Sequence, residues 1–238
     1  MKPQDTQIFN CDQGTPEWFA ARLGIPTASD FADVLSSGKG GGDSKTRRTY
    51  MLKLLGELMT GEPAGNFTNV HLQRGKEMED EARQAYVTAT GNVVQRVGFI
   101  RRGDVGCSPD GLINEEGVLE IKTKLPHLQL EVLLKDEVPS EHVAQIQGQL
   151  LVTGRKWVDF VSYWPHLPVL VKRVERDEKY IGELTEGLRK FSQDLQELAL
   201  KVSGKTPAQL KAGHKKLPLM ADPDKEFTNL DDDWLSIT

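Results

Sequence analysis

The pattern of this chain changes period near Gly91, and that change limits the folds open to it. Upstream, apolar residues recur at helical spacing over residues 15–23, 27–35, 45–59 and 69–90. Thr15-Pro16-Glu17 supplies an N-cap, a first-turn proline and a first-turn acid, and Gly24, Gly61 and Gly91 stand where helices stop. From 92 the runs are short and broken by glycine. Residues 92–101, 106–113 and 117–124 read as strands, the last two joined by Asn114-Glu115-Glu116, a hairpin-length connection. Helical spacing returns over 126–135 and 140–153. Two strands follow, 157–164 and 169–175, turned by Pro165-His166-Leu167-Pro168, and Asp177 caps a long helix to about 202. The order predicts an α/β fold with a central mixed β-sheet flanked by helices. Residues 1–203 form one domain on this reading, and residues 204–238, rich in Lys, Pro and Asp, form a poorly ordered acidic tail.

Composition excludes several classes. No apolar run approaches the roughly 18 residues of a membrane span. The N-terminus lacks the apolar core of a secretory signal. Two cysteines, Cys11 and Cys107, make neither a disulfide framework nor a Cys-rich zinc site, which fits a reducing cytoplasm. The glycine-rich stretch over 36–44 lacks the residue order of a phosphate-cradling P-loop. The net charge of −5 argues at first against a nucleic-acid partner. Yet the tail from Asp222 holds six acids against Lys225 alone, so residues 1–221 are balanced. A neutral body binds DNA if its charges segregate by face.

Chemistry concentrates in Cys107-Ser108-Pro109-Asp110-Gly111 and Leu119-Glu120-Ile121-Lys122. Glu120 and Lys122 share one face of their strand, and Asp110 meets them across the hairpin. Two carboxylates that close repel each other, and a divalent cation resolves the repulsion. The cation lowers the pKa of a bound water, Lys122 orients or deprotonates that water, and the Ile121 carbonyl offers another ligand. The competing reading is a solvated strand with an ordinary Glu–Lys pair. Glu79, on the preceding helix, is either a further metal ligand or a surface acid. Gln145 and Gln149, four apart on the following helix, either hold water or a phosphate oxygen or are surface amides.

Helix with Glu79, strand, P-D strand, E-x-K strand, helix with Gln145: in this order the chain resembles the PD-(D/E)xK nucleases, with their restriction-endonuclease-like core. Over roughly residues 15–195 it resembles the lambda exonuclease family. The matching segments are Trp18 with Arg22-Leu23-Gly24, Thr27-Ala28-Ser29, Gly75-Lys76 with Glu79 and Ala82-Arg83, Cys107 to Leu112, Leu119 to Lys122, Ala144-Gln145-Ile146-Gln147, and Glu175-Arg176-Asp177-Glu178-Lys179-Tyr180. The resemblance implies Asp110, Glu120 and the Ile121 carbonyl as ligands of Mg²⁺, replaceable by Mn²⁺, with Glu79 supporting a second ion. It implies Lys122 and Gln145 at the attacking water. It implies a 5′-phosphate pocket of Arg22, Ser29 and Ser108. Leu72 matches a residue that wedges into the duplex end, or is an ordinary core leucine. The family pattern has an arginine where this chain has Leu128, beside Lys124 and His127, either of which can substitute.

The expectation is thus an ATP-independent, Mg²⁺-dependent exonuclease of phage or prophage origin, acting in the bacterial cytoplasm. It would degrade linear double-stranded DNA 5′ to 3′, release mononucleotides and leave a 3′ overhang. The resemblance further implies a homotrimeric ring and a single-strand annealing protein as partner, with no membrane. The rivals are an endonuclease on the same core and a non-catalytic DNA-binding recombination protein.

Overall fold

Glycines and caps place the helices where their signals stand. The computed structural model describes residues 6–38, 42, 44–64 and 70–214, with the side chains of 70–77 excepted. Along the chain run β1 (Gln7–Phe9), α1 (Pro16–Arg22), a 3-10 turn (Ala28–Asp30), α2 (Phe31–Leu35), α3 (Lys45–Thr60), α4 (Val70–Thr90), β2 (Val94–Gln95), β3 (Phe99–Arg102), β4 (Val105–Cys107), β5 (Gly111–Ile113), β6 (Gly117–Thr123), α5 (Pro126–Lys135), a second 3-10 turn (Ser140–His142), α6 (Val143–Thr153), β7 (Trp157–Tyr163), β8 (Leu170–Glu175), α7 (Glu178–Ser203) and α8 (Pro207–Gly213). Thr15 caps α1 by accepting from the Trp18 N–H, and Asp177 caps α7 through two N–H groups. Among these helices none is long and apolar enough to cross a membrane.

Among the described residues five strands form the main sheet in the order β2-β5-β6-β7-β8, and β1-β3-β4 form a smaller antiparallel one. The main sheet is mixed: β6 and β7 run parallel, from Gly117↔Trp157 to Thr123↔Tyr163, and the other pairs are antiparallel. Parallel pairing needs a long crossover, which α5 and α6 supply. The sheet buries both faces. Val118, Val158 and Phe160 join Phe31, Leu54, Ile146, Leu150, Leu184 and Phe191 in the larger core. Leu119, Ile121 and Val161 face the other way, onto Ala82 and Tyr86 of α4. Two-residue alternation therefore aims Glu120 at α6, and α4 covers the opposite face.

Three sequence expectations need correction, and one strand was not foreseen. Residues 106–113 are not one strand: β4 closes the small sheet and β5 joins the large one, with Ser108-Pro109-Asp110 between them. Proline has no N–H for a ladder, so the break falls there. Residues 92–101 likewise divide into β2 and β3, in different sheets. At Gly98, between them, an added Cβ would lie 2.0 Å from the Cys11 carbonyl oxygen, so the chain has room only for glycine. β1 was not foreseen, since three residues carry no readable period. The ordered chain also runs past 203. Thr206 and Gln209 make a capping box that opens α8, Leu210 is buried, and the Lys211 amine donates to the Leu23 carbonyl at 3.2 Å. Residues 215–238, with the acidic stretch, lie outside the described residues, as does part of 36–44.

Candidate active site

β5 is short, and its shortness builds the site. The ladder from β5 to β6 covers Gly111↔Leu119 to Ile113↔Gly117, and the Asp110 N–H still bonds the Leu119 carbonyl at 3.1 Å. Beyond it β6 continues without a β5 partner. The Asp110 carboxylate takes the next place, its Oδ2 accepting from the Ile121 N–H at 2.5 Å. Strand alternation turns the Ile121 carbonyl toward this same open edge.

Glu120 points from β6 onto α6 and is 2% exposed. Gln145 Nε2 donates to its Oε1 at 2.6 Å, Gln149 Nε2 to its Oε2 at 2.5 Å, and the Lys122 ammonium lies 2.6 Å from Oε1. Reading the two glutamines as surface amides is overturned, for Gln149 is 1% exposed and both serve the same carboxylate. On another side α6 packs closely on α2, where residue 148 is glycine: a Cβ there would meet Phe31 at 2.4 Å. Burial, then Glu120 and Glu79, push the Asp110 carboxyl well above its ordinary range, against the pull of Lys122 and the Ile121 N–H. For Lys122 burial works against the charge, but Glu120 and Asp110 outweigh it, and its pKa lies above the usual value.

Glu79 arrives from the other face, on α4. It pairs with Arg83, which also holds Asp80 at 2.5 Å and donates to the Asp110 carbonyl at 3.1 and 3.3 Å. Sequence reasoning gave Arg83 no role. Its position one turn after Glu79 was the available signal. A cleft of about 750 Å³ opens here, lined by Asn10, Asp12, Glu79, Arg83, Arg96 and Asp110 among others. Tyr86, a turn beyond Arg83, anchors α4 by donating to the buried Asp159 at 2.7 Å, and Arg173 holds that acid from β8.

A second group gathers at the end of α1. Arg22 donates to Thr27 Oγ1 at 3.3 Å, and Thr27 and Ser29 hydroxyls lie 3.1 Å apart. The Arg22 guanidinium lies over the Trp18 ring, 4.1 Å from its centroid, and the Trp18 indole donates to Ser108 Oγ at 2.9 Å. Arg22, Ser29 and Ser108 therefore belong to one connected group, with Trp18 and Thr27 as links. Asp30 was not foreseen there. Its Oδ2 accepts from both Thr27 (3.0 Å) and Ser29 (2.9 Å). Gly24, at φ +63°, makes the turn after Arg22, and its N–H bonds Glu57 at 2.8 Å. The Leu72 side chain lies outside the described residues. Leu128 is 39% exposed and His127 is exposed, whereas Lys124 turns in toward His142.

No group of three or more metal-binding side chains stands assembled among the described residues. The donor set nevertheless suits a hard divalent ion. Glu120 adds to the cost of charging Asp110, the Ile121 carbonyl shares their edge, and all the donors are oxygens. Gln149 Oε1 is buried beside Glu120 without a hydrogen-bond partner, an acceptor suited to a water on such an ion. Glu79 fits less directly, being already paired with Arg83.

A buried acid–amine cluster at the open edge of a mixed sheet, with helices on both faces, is a nuclease arrangement. The structure matches that of an alkaline exonuclease from Laribacter hongkongensis, and that of the same exonuclease in complex with dAMP, at 36% identity over 82% of this chain and 100% of that one, with TM-score 0.73. Residues 17–156 match the model of the YqaJ-like viral recombinase domain, and the chain belongs to that nuclease family. A phage-related exonuclease from Haemophilus somnus 129PT shares the fold, with TM-score 0.57 at 14% identity over 75% of this chain and 96% of that one. No curated protein matches the sequence. Nucleases of this kind are generally metal-dependent.

Proposed function

We propose that this chain is a Mg²⁺-dependent, ATP-independent exonuclease that degrades one strand of linear double-stranded DNA from the 5′ end. It releases mononucleotides and leaves a 3′ overhang for single-strand annealing. The observation that carries the reading is the convergence of Asp110, Glu120 and Lys122 where β6 outruns β5. An exonuclease 36% identical over most of the chain supports it.

Asp110, Glu120 and the Ile121 carbonyl would hold the principal ion, with Glu79 toward a second. Bound there, Mg²⁺ supplies a water of lowered pKa and neutralises charge growing on the phosphate; Mn²⁺ can replace it. Lys122 orients the attacking water and moves its proton, and Gln145 fixes both Lys122's partner Glu120 and the water's approach. Arg22, Ser29 and Ser108 receive the 5′-phosphate, the arginine donating a fork to its oxygens. Each cut leaves a new 5′-phosphate for the same pocket. Leu72, in the first turn of α4, is the proposed wedge at the duplex end. A homotrimeric ring, a cytoplasmic setting and an annealing protein as partner complete the reading.

The test is digestion of linear duplex labelled at either end, and of covalently closed circles, with and without Mg²⁺. Expected is metal-dependent loss of the 5′ label as mononucleotide, with circles intact. Cut circles would replace the reading with an endonuclease, and metal binding without nucleotide release would replace it with a DNA-binding protein.

A further inference from the structure

Among the described residues no acid closely answers the Lys124 ammonium. Its side chain is 16% exposed, and the nearest carboxylate among the described residues is Glu141 at 3.8 Å, on a side chain 63% exposed. An ion pair so long and so solvated contributes little. The closer polar contact is His142 Nε2, at 3.3 Å. That ring stacks on Phe160 with centroids 5.3 Å apart. Burial, and then Lys122 and Lys124, push its pKa down to about 4 against the pull of Glu141. The imidazole is therefore neutral near pH 7, and its Nε2 accepts from the lysine.

Lys124 also continues the row begun by Lys122. Its N–H bonds the Tyr163 carbonyl at 3.2 Å, so the extended course of β6 carries on through it. Side chains two residues apart on such a run leave the same face, roughly 6–7 Å from one another. Two ammoniums thus stand in line at the edge of the acid cluster. The first is paired with Glu120; among the described residues the second meets a neutral ring and a distant, solvated acid. A largely buried cation in that position is costly unless an anion meets it during use.

We propose that Lys124, held in place by His142, is a second phosphate-binding point that grips the DNA backbone phosphate next to the one facing Lys122. This rests on the nuclease reading, in which Lys122 stands at the phosphate being cut. Lys124 provides a point charge to a phosphate oxygen, and His142 is a positioning residue that fixes where the ammonium points.

Binding is measured separately from cleavage, in EDTA, with a fluorescent 5′-phosphorylated duplex over a series of salt concentrations. Lys124→Ala is expected to weaken binding about tenfold and to lower the salt slope by about one unit. Lys124→Arg keeps the charge and should keep the slope. With Mg²⁺ present, the loss should appear mainly in KM. His142→Ala should weaken binding less than Lys124→Ala, and His142→Gln, which retains an acceptor, should restore most of that loss. Wild-type affinity and slope in a folded Lys124→Ala protein would overturn the phosphate contact. Equal binding by His142→Ala and His142→Gln would overturn the positioning role. Failure of the nuclease reading shows separately, as no nucleotide release by the wild type whatever Lys124→Ala does to binding.

Discussion

Glu120 and Arg22 are both charges withdrawn from water, and the structure treats them in opposite ways. Glu120 is answered on every side: an ammonium and two amides meet its two oxygens within 2.6 Å. Arg22 makes no ion pair with a carboxylate among the described residues. It has a threonine hydroxyl at 3.3 Å and the face of Trp18. Burial pushes its pKa down, only partly offset by Asp30, Tyr50 and Glu57. A charge already compensated holds a geometry, whereas one left with weak partners is suited to receive an anion. The difference separates the region proposed for chemistry from the region proposed to bind a DNA end.

The widest separation between them should appear in Lys122→Ala. Rate under saturating DNA is expected to drop about a thousandfold while DNA affinity in EDTA is kept. Turnover within tenfold of wild type would take Lys122 out of the chemistry. Arg22→Ala is the converse. Its preference for 5′-phosphorylated over unphosphorylated ends should fall about tenfold, with less effect on the rate from an unphosphorylated end; an unaltered ratio would reject the pocket.

Asp30 sharpens the comparison further. Its carboxylate takes the protons of Thr27 and Ser29, which a phosphate would otherwise attract, and adds like charge. Asp30→Asn keeps the shape and should raise the phosphate preference about threefold in the same paired-substrate assay. A lowered preference would mean that Asp30 supports the pocket rather than competing in it.

The smallest effect concerns pH. Burial beside Glu120 and Glu79 raises the Asp110 carboxyl well above its ordinary range. A raised folded-state pKa contributes stability that is full below the ordinary aspartate pKa and lost as pH rises through the folded value. In EDTA the wild-type Tm should therefore fall by a few degrees across that window, and Asp110→Asn should flatten the decline. A parallel decline in that variant would assign the effect to another group.

The proposed catalytic cluster was more legible in the sequence than the proposed phosphate pocket, for a physical reason. Asp110, Glu120 and Lys122 lie within one hairpin, so strand period and turn length alone bring them together. Gln145 and Gln149 share a helix face by their spacing, yet no period says that the face meets Glu120. That contact joins residues 25 to 29 positions apart, across the packing of α6 on β6. The pocket depends on three separate segments. Nothing local links Trp18 with Ser108, and Arg22 by itself reads as a surface charge. The break at Pro109 was equally hidden, because a run of strand-forming residues does not say which sheet each half will join.

The residues themselves fixed the helix ends, through Thr15, Asp177 and the stop glycines, and the acid–amine set of one hairpin, because caps, turns and strand alternation act over a few residues. Tertiary structure alone decided that β5 stops short, that Glu79 reaches the site from the opposite face with Arg83 between, and that Lys124 turns toward His142. Those outcomes rest on packing between segments far apart in the chain, where side-chain volume and approach distance decide and local pattern has no say.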